Sequence, residues 1–329
     1  MNNLKKIGLS ALAGSLVAVS AYAGEVTVSG GASMEVDNVN GSQDGNNGKS
    51  FGMGNQLTFT GGGELENGLN VSISFVLDQG DDAGTTTEAD DNAGAPFDSH
   101  SITISSASLG SLTMAGEGGN STQTAIDTTA AGDLWDNSLG LGLSGTSGAP
   151  QGSSAGAGNL FYTSPELTDG LTLTGSYSPA STFKSAIGYG INYTGIEGLT
   201  IQAAQAEDND VDAATADVTT IKASYAYGPI TVAYSDTEYD DERANQGEDV
   251  RSYNISYTVT ENMSVSYGVE KLDEDKATSV ETAETRGVSA SYTAGGMTLS
   301  ATMIDAENMD HLAATQDSDF WQLKAAFAF

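Results

Sequence analysis

The sequence predicts an all-β fold, a transmembrane antiparallel β-barrel of about sixteen strands. Three observations predict it. Apolar residues alternate with small polar ones in one short segment after another along the chain, the period-two signature of strands with one greasy face. Long and short connections between those segments alternate without losing phase. The last ten residues, FWQLKAAFAF, place Trp321, Leu323, Ala325, Phe327 and Phe329 on one side and stop on an aromatic residue, as a closing strand does at a membrane interface.

The stretch 1–23 reads as a secretory signal peptide: Lys5 and Lys6 precede an apolar run from Ile7 to Val19, and Ala21-Tyr22-Ala23 is an A-x-A cleavage site. Residues 24–329 then form a single barrel domain. Its first strand runs from Glu25 to Val36, with Val26, Val28, Gly30, Ala32, Met34 and Val36 outward. After a Gly/Asn/Asp-rich stretch to Gly54, strands marked by Leu57 and Phe59, then by Leu69, Val71, Ile73, Phe75 and Leu77, flank a tight Glu66-Asn67-Gly68 turn. A polar loop over 78–98 leads to strands carrying Ile102 and Ile104, then Leu112 and Met114. Beyond the segment 117–158, strands are marked in turn by Tyr162, Leu173, Ile191, Ile201, Ile221, Val232, Ile255, Val265, Val288 and Leu299, before the terminal strand.

Long connections centre near residues 45, 88, 137, 182, 212, 244, 278 and 311, and short ones near 67, 108, 167, 196, 228, 260 and 294. Outer-membrane barrels place short turns on the periplasmic side and long loops outside. Tyr193, Tyr227, Tyr257, Tyr292 and Phe329 then share the outward face at the short-turn end and form an aromatic girdle. The inward face is rich in Ser, Thr and Asn, which suits water rather than a packed core.

The chain carries 11 basic and 44 acidic residues, and no cysteine. Such an excess of acid excludes nucleic acid as a partner, because that binding needs Lys and Arg to neutralise phosphates. Disulfides contribute nothing. Of the two histidines, His100 neighbours Ser99 and Ser101, but adjacent strand residues point to opposite faces, so no catalytic pair forms and the chain is read as no enzyme. The acidic loops, for example Asp78, Asp81 and Asp82, could hold Ca²⁺ through oxygen ligands, although none has the spacing of a recognised calcium loop, and no other cofactor is indicated.

Several stretches resemble the general diffusion porins of Gram-negative outer membranes: Glu64-Leu65-Glu66-Asn67-Gly68-Leu69 at the first short turn, the hairpin from Ser108 to Gly116, and Tyr162-Thr163-Ser164-Pro165-Glu166-Leu167 with Gly170-Leu171. Phe329 matches that family's assembly signal. The resemblance implies a homotrimer in the outer membrane, surrounded by lipid and lipopolysaccharide, inserted by the barrel-assembly machinery, with a long third loop folded into the lumen. It also implies passive diffusion of ions and small hydrophilic solutes. One departure is plain: up to residue 116 the strands offer no Lys or Arg, and Lys49 reads as part of the first external loop, so the family's basic wall is missing.

The candidate constriction is 117–158, far longer than the usual connection of about 4–6 residues. It carries Glu117, Asp127, Asp133 and Asp136 beside Leu134 and Trp135, apolar content that prefers cover. Inward basic candidates are Lys222 and Lys324, with Lys184 nearer the rim. The acid excess then predicts cation preference, since carboxylate clusters in a low-dielectric wall attract cations. The alternative is a secreted structural or adhesive β protein, which membrane extraction would distinguish.

Overall fold

Period-two alternation fixes which face each strand shows, and pairing then decides whether the sheet stays open or closes. The computed structural model describes residues 26–41, 48–78, 97–126, 129–134, 151–179, 184–209, 215–242, 246–275, 281–309, 311 and 317–329. Among them are sixteen strands: β1 (Thr27–Gly41), β2 (Gly48–Glu64), β3 (Asn70–Asp78), β4 (Ser99–Ser106), β5 (Gly110–Glu117), β6 (Asn159–Thr163), β7 (Leu171–Ser178), β8 (Ala186–Ile196), β9 (Leu199–Asp208), β10 (Ala216–Tyr227), β11 (Ile230–Asp241), β12 (Glu248–Thr260), β13 (Met263–Glu274), β14 (Ala283–Ala294), β15 (Met297–Glu307) and β16 (Ser318–Ala328). Each pairs antiparallel with its sequence neighbours, and β16 pairs back onto β1. The barrel is closed, so the sheet has no edge.

Closure extends to the final residue. Gly30 N donates to the Phe329 carbonyl at 2.8 Å, and Phe329 N donates back to Gly30 O at 3.0 Å. The Phe329 ring lies over Gly30: a Cβ there would stand 2.8 Å from the ring and from Leu57. Short turns join the strands at one end, as at Leu65–Leu69, where Gly68 adopts φ +80° and its N–H donates to Leu65 O.

Outward side chains form an apolar belt that includes Met34, Ile102, Ile191, Ile221, Ile255 and Leu323, all exposed. Tyr234 and Tyr253, opposite each other on β11 and β12, pack at 5.1 Å between ring centroids. Toward the long-connection end the outward positions become charged: Lys271 meets Glu284 at 3.0 Å, and Arg286 meets Glu284 at 2.7 Å and Glu307 at 3.2 Å.

Three expectations need correction. Strand β1 continues to Gly41 rather than stopping at Val36. Strand β2 begins at Gly48, so Lys49 lies in a strand, opposite Asn38, on the outward face; Gly52 and Gly54 had disguised the alternation of Phe51 and Met53. The third concerns the lumen, which is not polar throughout. At the long-connection end the inward residues Val39, Val250, Leu272, Ile304 and Phe320 pack with Leu134 and Met309 into a buried apolar cluster. These strand residues keep the inward parity, but apolar partners from the connections cover them. The leader expected at 1–23 lies outside the described residues.

Candidate functional site: the barrel lumen

Inward hydroxyls pair across neighbouring strands wherever register sets them opposite: Thr103 with Thr113 at 2.8 Å, Ser264 with Ser291 at 2.9 Å, Ser266 with Ser289 at 2.7 Å. Each hydroxyl both donates and accepts, so these pairs satisfy one another and still present oxygen to water.

The described parts of 117–158 bond to inward side chains. Thr122 N donates to Ser176 Oγ on β7 at 3.0 Å, and Gln123 Nε2 donates to Thr220 Oγ1 on β10 at 3.0 Å. Ala130 N and Ala131 N donate to Ser235 on β11 and Ser252 on β12, at 2.9 and 2.8 Å. Thr129 Oγ1 donates to Glu270 on β13, and Gln151 N donates to Glu248 on β12 at 2.7 Å. Backbone N–H groups that a loop would otherwise leave to water are thereby matched to serines and carboxylates of the wall.

Packing supplements these bonds. Gly268 and Gly287 sit opposite each other on β13 and β14, and both are buried. A Cβ at Gly268 would stand 2.6 Å from Ala131 Cβ, and one at Gly287 would stand 2.6 Å from Leu134 Cδ2. The two glycines form a socket that admits Ala131 and Leu134. A strand glycine often marks such a close approach, but its partner is remote in sequence.

Of the predicted constriction acids, Glu117 closes β5 opposite His100. Asp133 sits at φ +53° in a turn, where its N–H and carboxylate both engage the Thr129 hydroxyl at 2.6 and 2.9 Å. Asp127 and Asp136 lie outside the described residues, as do Asp81 and Asp82; among the described residues no acid or histidine group is arranged to hold a metal ion. The predicted lysines are separated in role. Lys222 Nζ donates to Thr129 O at 2.9 Å, whereas Lys324 Nζ meets Glu35 Oε2 at 3.1 Å across the β16–β1 pairing.

Glu35 and Asp37 were not singled out from sequence: the inward parity of Glu35 was legible, whereas Asp37 lay beyond the expected end of the first strand at Val36. Asp37 accepts a hydrogen bond from Ser50. The girdle candidates stand near the short-turn ends: Tyr227, Tyr257, Tyr292 and Phe329 are exposed, and Tyr193 is half-buried against Gly195. His311 is buried in the β15–β16 connection, its Nδ1 3.2 Å from Glu281 O and its Nε2 3.8 Å from Glu274.

A family model described as Gram-negative porin matches residues 8–276. No curated protein matches the chain. Among solved structures, an anion-selective porin from Comamonas acidovorans superposes with a TM-score of 0.70 at 16% identity, covering 93% of this chain and 99% of that one. A loop-deletion mutant of OmpT, an outer membrane protein of Vibrio cholerae, gives 0.66 at 14% identity, with 93% and 99% covered. A mutant of the Rh. blastica porin gives 0.63 at 16% identity, with 93% and 100% covered.

Proposed function

The chain belongs to the Gram-negative porin family, and from that premise we propose that it forms a water-filled outer-membrane channel for ions and small hydrophilic solutes, preferring cations. Members of the family are channels rather than enzymes, and we assign it no catalysis and no resident cofactor. The observation that carries the cation preference is the inventory of inward charge. Among the described residues register parity turns Glu35, Asp37, Glu64, Asp78, Asp208, Asp241, Glu248, Glu270 and Glu274 inward against Lys222 and Lys324. The anion-selective porin from Comamonas acidovorans resembles this chain at 16% identity, a likeness of backbone that carries no charge. Selectivity depends on side chains.

The same reading takes 117–158 as the segment that narrows the lumen, held by its bonds to β7, β10, β11, β12 and β13. It takes Tyr193, Tyr227, Tyr257, Tyr292 and Phe329 as the interfacial girdle, the charged outward rim as the face toward lipopolysaccharide, and Phe329 as the residue read by the barrel-assembly machinery. It takes 1–23 as a cleaved signal, 24–329 as one domain, and the assembly as a homotrimer.

The test is the reversal potential of purified protein in a planar bilayer under a KCl gradient. Cation preference should weaken as salt is raised, because the screening length falls from about 8 Å at 0.15 M to about 3 Å at 1 M. Changing Asp127, Asp133 and Asp136 to Asn should reduce it more per charge than changing the acids that follow β3, Asp81, Asp82, Glu88, Asp90 and Asp91. Anion preference in the parent would overturn the electrostatic reading, and absence of conductance would overturn the channel.

A further inference from the structure

We propose that ion selectivity is set chiefly on the inner wall of β16, β1 and β2, with Lys324 and Glu35 as the pair that sets its charge. The inference rests on the channel reading but not on the sign of the selectivity. Lys324 and Glu35 are register partners, both inward, with Nζ and Oε2 3.1 Å apart. Around them the inward positions are small: Gly31, Ser33, Gly52, Gly54 and Ala326 line a recess of about 320 Å³ that also reaches Asp78. Among the described residues nothing bulky stands over the pair: the Lys324 side chain stays 40% exposed and that of Glu35 21%, with Glu35 Oε2 itself buried.

The opposite arc is different. There the inward charges are engaged by the long segment: Lys222 by the Thr129 carbonyl, Glu270 by the Thr129 hydroxyl, Glu248 by Gln151 N. Glu248 and Glu270 are 5% and 4% exposed, so a permeating ion meets them through the covering chain. On the β16–β1–β2 wall the Lys324 ammonium stands in a recess of small residues, and the low-dielectric wall focuses its field and that of Glu35 on a permeating ion. Lys324 balances Glu35. The ammonium therefore moderates cation attraction by cancelling one carboxylate.

Removing either charge alone should shift permeability in opposite directions. Lys324→Gln should raise the K⁺/Cl⁻ permeability ratio about threefold, and Glu35→Gln should lower it by a similar factor. The double variant should return near the parent, as should the charge exchange Lys324→Glu with Glu35→Lys. Heat-modifiable gel migration checks that each variant is a folded barrel, and reversal potentials under a KCl gradient give the result. Conducting single variants with parental reversal potentials would overturn the proposal, as would single shifts of the same sign. A parent that prefers anions, with the two singles still shifting oppositely, would defeat the cation reading while leaving this pair in place. A parent that prefers cations, with Asp133→Asn shifting selectivity and the pair silent, would do the reverse.

Discussion

Gly30 serves two purposes at one position. Its backbone exchanges hydrogen bonds with Phe329, and its missing Cβ leaves room for the Phe329 ring. Deleting Phe329 removes both bonds and the ring that lies over Gly30, a local loss of about 2–4 kcal/mol from two hydrogen bonds and buried aromatic surface. The deletion variant should therefore accumulate in the periplasm, measured as outer-membrane yield against soluble protein; normal yield would show that closure tolerates a shorter end. Gly30→Val should reproduce part of the defect with the terminus intact, because its Cβ meets the ring at 2.8 Å. Small size at Gly30 thus serves closure within one chain and is no evidence of a surface for another subunit.

At the scale of elements, the strands were legible, and the lumenal place of the long segment was expected from its apolar content and the family resemblance, but the wall residues that it meets were not legible. Alternation marked Val71, Ile73 and Phe75 as one face and the hydroxyls as the other, and connection length gave the phase, since both signals are local. The socket at Gly268 and Gly287 depends on Leu134, which no local pattern links to β13 or β14. The apolar cluster of Val39, Ile304 and Phe320 escaped for the same reason: parity put Phe320 inward and Val39 lay beyond the expected end of the first strand, and only Leu134 and Met309 explain why greasy groups are tolerated there. Size exchange tests the docking. Leu134→Ala should loosen the segment by about 2–3 kcal/mol through lost packing. Gly287→Ala should loosen it by about 1–3 kcal/mol through overpacking. Both should raise open-channel noise in single-channel recordings, and the double variant should be quieter than Gly287→Ala alone, because the shortened side chain vacates the space that the new methyl enters. Noise that adds in the double variant would separate the glycine from the leucine.

For the whole molecule, outward residues divide the barrel into two kinds of surface. Strands β8 and β10 to β13 project Tyr189, Tyr225, Tyr253 and Tyr267 with Ile221 and Ile255, groups suited to lipid. The surface of β15, β16, β1 and β2 instead has an outward apolar recess walled by Met34, Val36, Phe51, Leu299 and Leu323 around Ala325. Phe51 and Met53 project furthest from it, at 84% and 73% exposure, a pattern of knobs beside a hollow that lets like surfaces of neighbouring barrels interdigitate. The proposed homotrimer is expected to meet here, with Ala325 as the position to probe, since its side chain bears on neither the Gly30–Phe329 closure nor the lumen. Ala325→Trp would fill the hollow and hold two backbones apart, at an overpacking cost of about 1–3 kcal/mol at each contact. On native gels in mild detergent the variant should run largely as monomer while keeping heat-modifiable migration and parental single-channel selectivity, because the barrel itself is untouched. Ile255→Trp, on the lipid-facing side, should leave the oligomer intact. If Ala325→Trp remains trimeric and Ile255→Trp does not, the subunits meet along β12 and the hollow beside Ala325 faces lipid.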